Sequence, residues 1–163
     1  MLTIQNKLNN LSRYNPASIQ KQNLSKFIFP LSRVVDKQQS SLNVYFGKGR
    51  LNRKTGIVKP RPWYEIELIA DRDLISQPEY PKGDFLAYTD DGYIIPMRTQ
   101  GTNYKNIRSK NSLQIFGIWL KGKLEKAGYL KKYEPVTNET LAEYGTDELV
   151  FYKIDEGKYY MEF

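Results

Sequence analysis

Short runs in which apolar and polar positions alternate predict a chain built mainly of β-strands. Residues 27–31 and 41–46 are brief apolar or alternating runs, and residues 63–68 alternate with a strict period of two. Because strand side chains alternate between two faces, Glu65 and Glu67 are expected on the solvent side of the third strand.

Two further pairs of runs predict β-hairpins. Residues 85–88 and 93–97 flank an Asp91-Gly92 turn, and Asp-Gly between apolar runs is a strong hairpin signal. Residues 149–154 and 159–163 flank a second turn at 155–158. These pairs predict antiparallel ladders on either side of the helical part of the chain.

The helical pattern lies between these two hairpins. Ser112 is a candidate N-cap, and Gly128 a candidate end. Apolar positions fall on one face between them: Leu113, Phe116, Leu120, Leu124 and Ala127. A second short helix is predicted to begin near residues 137–138 and to end at Gly145. Together the elements predict a mostly β fold with helices (α+β), in which an antiparallel sheet curls into an open barrel.

The first 26 residues differ from the rest. Residues 1–26 are rich in Asn, Gln, Ser and Lys, and Asn15-Pro16 interrupts the one short helix they predict. They form either a linker to something upstream or an arm packed on the body. The predicted organisation is this segment followed by one domain over residues 27–163.

Composition narrows the possible chemistry. The chain has 163 residues, no Cys and no His, which excludes common zinc sites, thiol nucleophiles, Ser-His-Asp triads and nucleases that use an imidazole. Its apolar runs are far shorter than the roughly 20 residues that span a bilayer, and no signal peptide is visible. A cytoplasmic protein without membrane partner, cofactor or metal is therefore expected.

The charge of +7 is unevenly distributed. Residues 37–64 carry seven bases and residues 92–124 carry six, and neither stretch contains an acidic residue. Clustered Lys and Arg gain affinity by displacing counterions from phosphates, so a polyanion is the leading partner. A solvated basic face on an ordinary domain is the alternative.

Each acid-free stretch contains a candidate DNA-binding arm. Residues 47–56 combine glycines and bases as a long exposed hairpin loop does, and residues 98–108 are polar and Gly-containing. Arg and Lys suit phosphate and guanine, whereas Asn and Gln amides suit adenine. The candidates of the first arm are Asn43, Lys48, Arg50, Asn52, Arg53, Lys54, Lys59 and Arg61. Those of the second are Arg98, Gln100, Asn103, Tyr104, Lys105, Asn106 and Arg108.

Within this set we expect base contacts from Arg50, Arg53, Arg61, Arg98, Gln100, Asn103 and Asn106. Phosphate contacts are expected from Lys48, Lys54, Lys59, Lys105, Arg108, Lys110, Lys121 and Lys123. Lys121 and Lys123 lie on the main predicted helix and touch phosphate at most. Trp63 and Trp119 are interpreted as core residues, whereas Tyr45 and Tyr104 are candidates for stacking on bases.

Two rival functions remain open. A small Mg²⁺-dependent nuclease would use Glu65 and Glu67, or Asp147 with Glu156 and Lys158. Turn propensity explains the latter positions equally well. An RNA or single-strand binder is the other rival, although the aromatic residues do not follow an RRM pattern.

The order of several short motifs resembles a known family over residues 27–163. The motifs are Phe29-Pro30-Leu31, Ser41-Leu42-Asn43 with the Gly/Arg-rich loop behind it, Phe85 with Thr89-Asp90-Asp91-Gly92, residues 101–105, residues 116–120 with Leu124, Tyr144-Gly145, residues 151–155 and residues 159–163. They resemble the C-terminal B3-like DNA-recognition domain of phospholipase-D-type type II restriction endonucleases.

The resemblance implies a seven-stranded open pseudobarrel with one main helix and one or two short helices. It also implies two arms that grip double-stranded DNA in the major groove. The family has a Trp-Gly-Gln-Arg run after Ser-Leu-Asn, where this chain has residues 44–48, so a different target sequence is expected. The nuclease half of the family uses His-x-Lys motifs. Since this chain has no His, cleavage would require a separate nuclease domain or subunit, in a bacterial cytoplasm.

Overall fold

The computed structural model describes residues 4–36 and 41–163, with side chains described from Lys7 onward. Lys37, one of the bases of the first acid-free stretch, lies outside the described residues. The strands are β1 (Ser12–Arg13), β2 (Lys26–Pro30), β3 (Arg50–Leu51), β4 (Val58–Lys59), β5 (Leu68–Ile69), β6 (Asp84–Thr89), β7 (Tyr93–Gln100), β8 (Asn106–Ser109), β9 (Glu148–Asp155) and β10 (Lys158–Glu162). The α-helices are α1 (Ile4–Asn9), α2 (Arg72–Ile75), α3 (Leu113–Lys126) and α4 (Asn138–Tyr144).

Seven strands form one continuous path in the order β2-β9-β10-β6-β7-β8-β5. All neighbours in this path are antiparallel except β10 and β6, which are parallel. The short strand β1 pairs with β7 outside the path, and β3 and β4 form a separate two-stranded hairpin. The large sheet is curled into a half-barrel.

Local turn chemistry accounts for the two predicted hairpins, and both are confirmed. The β6–β7 turn contains Gly92 with φ +96°, and Tyr88 pairs with Ile94 beside it. The β9–β10 turn contains Gly157 with φ +72°. Glycine adopts such positive φ angles without steric cost, so each turn stops one strand and starts the next.

Both predicted helices are also confirmed. The hydroxyl of Ser112 accepts a hydrogen bond from Gln114 N at 3.2 Å and caps α3. Thr137 and Thr140 form a capping box at the start of α4, and Gly145 ends that helix in the left-handed conformation. The apolar face of α3 packs into the hydrophobic core with the sheet through buried residues such as Phe116, Leu120 and Leu124.

Two predicted strands are wrong. Val44–Phe46 is a 3₁₀-helix, and β5 retains only the end of the 63–68 run. Residues 63–66 instead lie along α3, where Ile66 N donates to Leu113 O at 3.3 Å. Glu65 is buried, not on a solvent side, and its carboxylate is bound by Arg50 and Arg61.

The described part of the amino-terminal segment contacts the body. Ser12 pairs with Ile94 of β7, and Tyr14 N donates to Gly92 O at 3.0 Å. The Tyr14 ring meets the Tyr88 ring edge-on at a centroid distance of 5.1 Å. These contacts agree with the packed-arm interpretation of this segment.

The expected architecture, an α+β fold with a seven-stranded open pseudobarrel, one main helix and shorter helices, is confirmed. Across residues 4–36 and 41–163, none of the helices combines the length and apolar character needed to cross a bilayer. The β3–β4 hairpin leads through residues 60–67 into β5, the last strand of the sheet path, and β5 pairs with β8, which follows the β7–β8 loop. Both predicted arms therefore connect to the same end of the sheet path.

Candidate nucleic-acid interface

The first predicted arm is the β3–β4 hairpin and its flanking residues. Arg50 pairs with Lys59 and Leu51 with Val58, and every residue from 51 to 60 is exposed. Ten consecutive exposed residues contribute nothing to the core. Their order must come from contacts within the hairpin and at its base.

Asn52 shapes the tip of this hairpin. Asn52 N donates to Ile57 O at 2.8 Å, and its side-chain Oδ1 accepts from Lys54 N at 3.0 Å. Gly56, with φ +72°, donates its N–H to Asn52 O at 2.7 Å. The side-chain oxygen of Asn52 is thus used in the turn.

Asn43 does not belong to this arm, and its prediction as a DNA contact is wrong. Its side chain is 4% exposed. Nδ2 donates to Val35 O at 2.7 Å and to Val136 O at 2.8 Å, and Oδ1 accepts from Val136 N at 2.8 Å. The amide is fully occupied in joining distant backbone segments, so it has no group left for a base.

Glu65 fixes the base of the hairpin. Its carboxylate is 1% exposed and accepts hydrogen bonds from Arg61 Nε at 2.8 Å and Arg61 Nη2 at 3.1 Å. Arg50 Nη2 also contacts this carboxylate. Arg61 is mostly buried, whereas the Arg50 side chain is 56% exposed. Charge compensation from a buried acid therefore orients both arginines toward the root of the arm.

The second predicted arm is shorter than expected. Strand β7 continues to Gln100 and β8 begins at Asn106, so the loop consists of residues 101–105. Asn103 and Tyr104 have φ angles of +58° and +60°. Such angles are strained for non-glycine residues and persist only where neighbouring structure holds them.

Two hydrogen bonds hold this strained loop. Tyr80 Oη donates to Tyr104 O at 2.5 Å, and Ala70 N donates to Lys105 O at 2.7 Å. The Tyr104 side chain remains 44% exposed. The Oδ1 atom of Asn106 is buried and has no hydrogen-bond partner among the described residues. The loop therefore presents Asn103 and Tyr104 to solvent more openly than Asn106.

Arg98 lies in a strand and has an acidic neighbour. Its Nε donates to Asp84 Oδ1 at 2.6 Å, and Lys110 Nζ lies 2.9 Å from Asp84 Oδ2. Hydrogen bonds from Arg98 and Lys110 hold the pKa of Asp84 well below its usual value. Arg108, which pairs with Arg98 across the ladder, donates to the backbone oxygens of Ser109 and Lys110. The second acid-free stretch is therefore partly neutralised by an acid from β6.

Lys121 and Lys123 are not phosphate contacts, which corrects their prediction. Lys121 is fully buried, and its Nζ donates to Trp63 O at 2.7 Å and lies 3.8 Å from the centre of the Trp63 ring. Burial lowers the pKa of Lys121 to about 7. Lys123 contacts Asp90 and donates to Phe163 O at 2.8 Å. Both lysines act inside the fold.

The aromatic residues singled out in the sequence are partly in the core and partly exposed. Trp63 and Trp119 are buried core residues, as expected. Tyr45 is partly buried and meets Phe46 and Trp63 edge-on, with ring centroids 5.1 and 5.5 Å away. Tyr45 thus belongs to an aromatic cluster at the root of the first arm, whereas Tyr104 keeps an open face.

The cations that keep no internal ion pair are concentrated in the first arm. Among the described residues of the two acid-free stretches, they include the exposed Lys48, Arg53, Lys54 and Lys59, together with the partly exposed Lys105. Uncompensated exposed cations gain most from a nearby phosphate backbone. This set is smaller than the predicted one. Glu65, Asp84 and Asp90 pair with Arg50, Arg61, Arg98, Lys110 and Lys123, whereas Arg108 and Lys121 donate to backbone oxygens.

The carboxylates of the rival nuclease are dispersed. Glu65 is bound by two arginines, Asp147 Oδ2 accepts from Ser32 Oγ at 2.8 Å, and Glu156 pairs with Lys153 at 2.7 Å. Residues 4–36 and 41–163 contain no group of three or more Asp or Glu side chains placed to hold a metal ion. These three acids thus have structural partners.

A curled seven-stranded half-barrel with one main helix is the architecture of a B3-like pseudobarrel. The family described as the NgoFVII C-terminal B3-like DNA-binding domain matches residues 17–155. The chain belongs to this family of B3-like DNA-binding domains of restriction endonucleases. Among curated proteins, no significant match was found.

Several important residues escape the sequence patterns. Glu65 was expected to face solvent, and Asp84 and Tyr80 were not singled out. The only signal for Glu65 is its position directly after the basic stretch 37–64. No sequence pattern predicts that Leu51 and Val58 are exposed in the middle of the basic hairpin.

Proposed function

We propose that this domain binds double-stranded DNA sequence-specifically and acts as the specificity module of a restriction endonuclease. The β3–β4 hairpin and the β7–β8 loop would enter the major groove as two arms. Cleavage would be supplied by a separate nuclease domain or subunit, in a bacterial cytoplasm. The family membership supports DNA binding, and the proposal adds the groove, the arms and the role.

One observation carries the proposal. An exposed two-stranded hairpin carries cations that have no internal ion pair, and Glu65 anchors the root of this hairpin. A two-stranded β-ribbon has dimensions that fit the major groove of B-DNA. Lys48, Lys54 and Lys59 have no internal ion pair and suit phosphates along both rims. Arg53, near the tip, can reach guanine with both guanidinium nitrogens.

The other arm residues receive narrower roles. Arg50 and Arg61, oriented by Glu65, would approach DNA in a preset conformation, which lowers the entropic cost of binding. Asn52 would use its NH₂ group. Arg98 and Arg108, on paired strands, would lie near the sugar-phosphate backbone of DNA, and Lys105 would contact a phosphate.

The second arm would read DNA through its loop and the strand ends on either side of the loop. Gln100, Asn103 and Asn106 carry amides suited to adenine, and Tyr104 offers a half-open ring. The hydrogen bonds from Tyr80 and Ala70 hold this loop before DNA arrives. A held loop supports sequence discrimination, because a wrong base cannot be accommodated by local rearrangement.

Selection of binding sites from randomised duplexes tests the proposal. The intact chain should enrich one short sequence and bind it at least a thousandfold more tightly than scrambled duplex at physiological salt. Single-stranded DNA and duplex RNA of the same sequence should compete poorly. Enrichment of no sequence, or stronger competition by single strands, would contradict the proposal.

A cleavage assay separates the specificity role from a nuclease. The isolated chain, incubated with plasmid carrying the selected sequence and Mg²⁺, should retard the DNA without cutting it. Cutting that depends on Glu65 or Asp147 would overturn the module role and assign catalysis to this chain.

A further inference from the structure

The apolar pair in the middle of the basic hairpin has a specific geometry. Leu51 and Val58 are direct cross-strand partners, and their residues are 58% and 56% exposed. Paired residues of an antiparallel ladder share one face, so the two side chains form a small apolar patch.

The opposite face of the hairpin is different. Arg50 and Lys59, the adjacent pair, lie on that face, and Arg50 reaches the buried carboxylate of Glu65. Alternation therefore turns Leu51 and Val58 away from Glu65 and the root of the arm. Neither residue belongs to the hydrophobic core of the described structure.

Gly49 keeps this patch open. A Cβ atom at position 49 would lie 2.8 Å from Val58 Cγ1 and would clash with the carbonyl oxygen of Lys59. A larger residue does not fit at position 49, so no side chain from this position covers Val58. The close approach of Gly49 also fixes where the hairpin begins.

Charge selects the occupant of this patch. Lys48, Arg53, Lys54 and Lys59 are exposed along the same hairpin without internal ion pairs, and residues 37–64 contain no acid. A second copy of the chain would place the same cations against each other. Duplex DNA instead offers two rims of phosphates with base edges between them, among which the C5-methyl group of thymine is the apolar one.

We infer that Leu51 and Val58 form a contact surface for thymine methyl groups in the major groove. This inference rests on the proposed function, since it assigns the base chemistry that the first arm reads. The basic residues hold the ribbon between the phosphate rims, and the apolar pair then discriminates thymine from cytosine. Sequence preference at these positions comes from burial of a methyl group and not from hydrogen bonding.

Replacement of thymine by deoxyuridine isolates this contact, because it removes only the C5-methyl group. The selected duplex and its deoxyuridine counterpart are titrated with the intact chain under identical salt. Wild-type affinity should fall about fourfold for each methyl group buried by the hairpin. The Leu51→Ala/Val58→Ala variant should bind the thymine duplex more weakly and lose most of this penalty.

Ile57→Ala is the matched control. Ile57 is exposed on the other face of the same hairpin, beside Asn52, so its truncation should leave the deoxyuridine penalty unchanged. Circular dichroism checks that the variants fold, which their exposed positions favour.

The outcomes separate this inference from the proposed function. Sequence-specific binding with equal affinity for thymine and deoxyuridine duplexes, or a selected sequence without thymine, would overturn the inference and leave the proposed function intact. Failure to select any duplex would overturn both. Concentration-dependent self-association that Leu51→Ala/Val58→Ala abolishes would assign the patch to a second copy and overturn the inference.

Discussion

The carboxylate of Glu65 lies 2.8 Å from Nε of Arg61, in a position where the acid is 1% exposed and the arginine is 16% exposed. Arg50, from the opposite strand of the hairpin, meets the same carboxylate. One buried acid thus joins the entry and the exit of the first arm. The arm is held at its root although nothing covers its length.

Glu65→Gln should lower both stability and sequence discrimination. The substitution keeps the shape but weakens charge-assisted hydrogen bonds, so the free energy of unfolding should fall by about 1–3 kcal/mol. With Arg50 and Arg61 less constrained, the ratio of specific to scrambled duplex affinity should fall as well. Urea unfolding and fluorescence anisotropy measure the two effects.

Glu67→Gln is the matched control for this substitution, because Glu67 lies two residues away and is not fully buried. It should change neither quantity appreciably. If Glu65→Gln behaved like Glu67→Gln in both assays, Glu65 would not anchor the arm.

Arg53→Ala and Lys54→Ala should weaken binding in different ways. Loss of a base-reading Arg53 should cost about 1–3 kcal/mol and relax preference at one position, whereas loss of Lys54 should weaken all duplexes alike. The slope of log affinity against log salt should also fall by about one unit for Lys54→Ala. Anisotropy titrations at several salt concentrations distinguish the two patterns.

Lys26→Ala provides the comparison for these two variants. Lys26 is an exposed lysine of the terminal strand β2, far along the sheet path from β5 and the arms. Its removal lowers the net charge equally but should leave affinity nearly unchanged. Equal losses for Lys26→Ala and Lys54→Ala would indicate a diffuse charge effect.

The burial of Lys121 predicts a pH-dependent stability. Its pKa is about 7 in the folded chain, against an ordinary value of 10.5. Between these pH values the unfolded chain binds a proton that the folded chain lacks, so stability rises with pH through this window. The loss of stability caused by burying the protonated Lys121 is fully present below about pH 7 and amounts to a few kcal/mol.

Lys121→Met should remove this titration. The variant also loses the hydrogen bond to Trp63 O, which is a constant cost, so its stability relative to wild type should be most favourable near pH 6 and decline toward pH 10. Chemical unfolding at four pH values measures the trend. Lys126→Met, on the exposed side of the same helix, should retain the wild-type pH dependence; a flat difference for Lys121→Met would contradict the prediction.

Gly117→Ala and Gly122→Ala should have opposite effects within one helix. A Cβ at Gly117 would overlap the Tyr64 carbonyl oxygen, whereas a Cβ at Gly122 meets nothing within 4 Å. Gly117→Ala should destabilise by about 1–3 kcal/mol despite its better helix propensity, because the backbone of residue 64 must move. Gly122→Ala should stabilise by about 0.5–1 kcal/mol. Thermal unfolding of both variants decides the sign.

Sequence patterns predict those elements whose signals are local. The hairpin turn at Gly92, the N-cap Ser112 and the helix end at Gly145 each depend on a few neighbouring residues, and all three were predicted correctly. The alternation at 63–68 failed because its backbone partner is α3, a helix nearly fifty residues later in the chain.

Charge patterns along the sequence also overstate the free cations. Asp84 and Glu65 lie outside the acid-free stretches but meet Arg98, Arg50 and Arg61 in space. Asn43 has the composition of a DNA contact, yet its amide is consumed by backbone groups at Val35 and Val136. Such partners are set by tertiary packing, which a linear pattern does not contain.

The parallel ladder between β10 and β6 has a consequence for how the chain reaches its native state. Among the described residues, Phe27 of β2 pairs with the late strand β9 alone, and the β9–β10 hairpin then separates β2 from β6. Strands β6, β7 and β8 pair with their neighbours along the chain, but β2 must wait until β9 has been synthesised. The sheet is therefore complete only after the β9–β10 hairpin has formed. Because these contacts join residues far apart in sequence, they should slow the folding of the sheet.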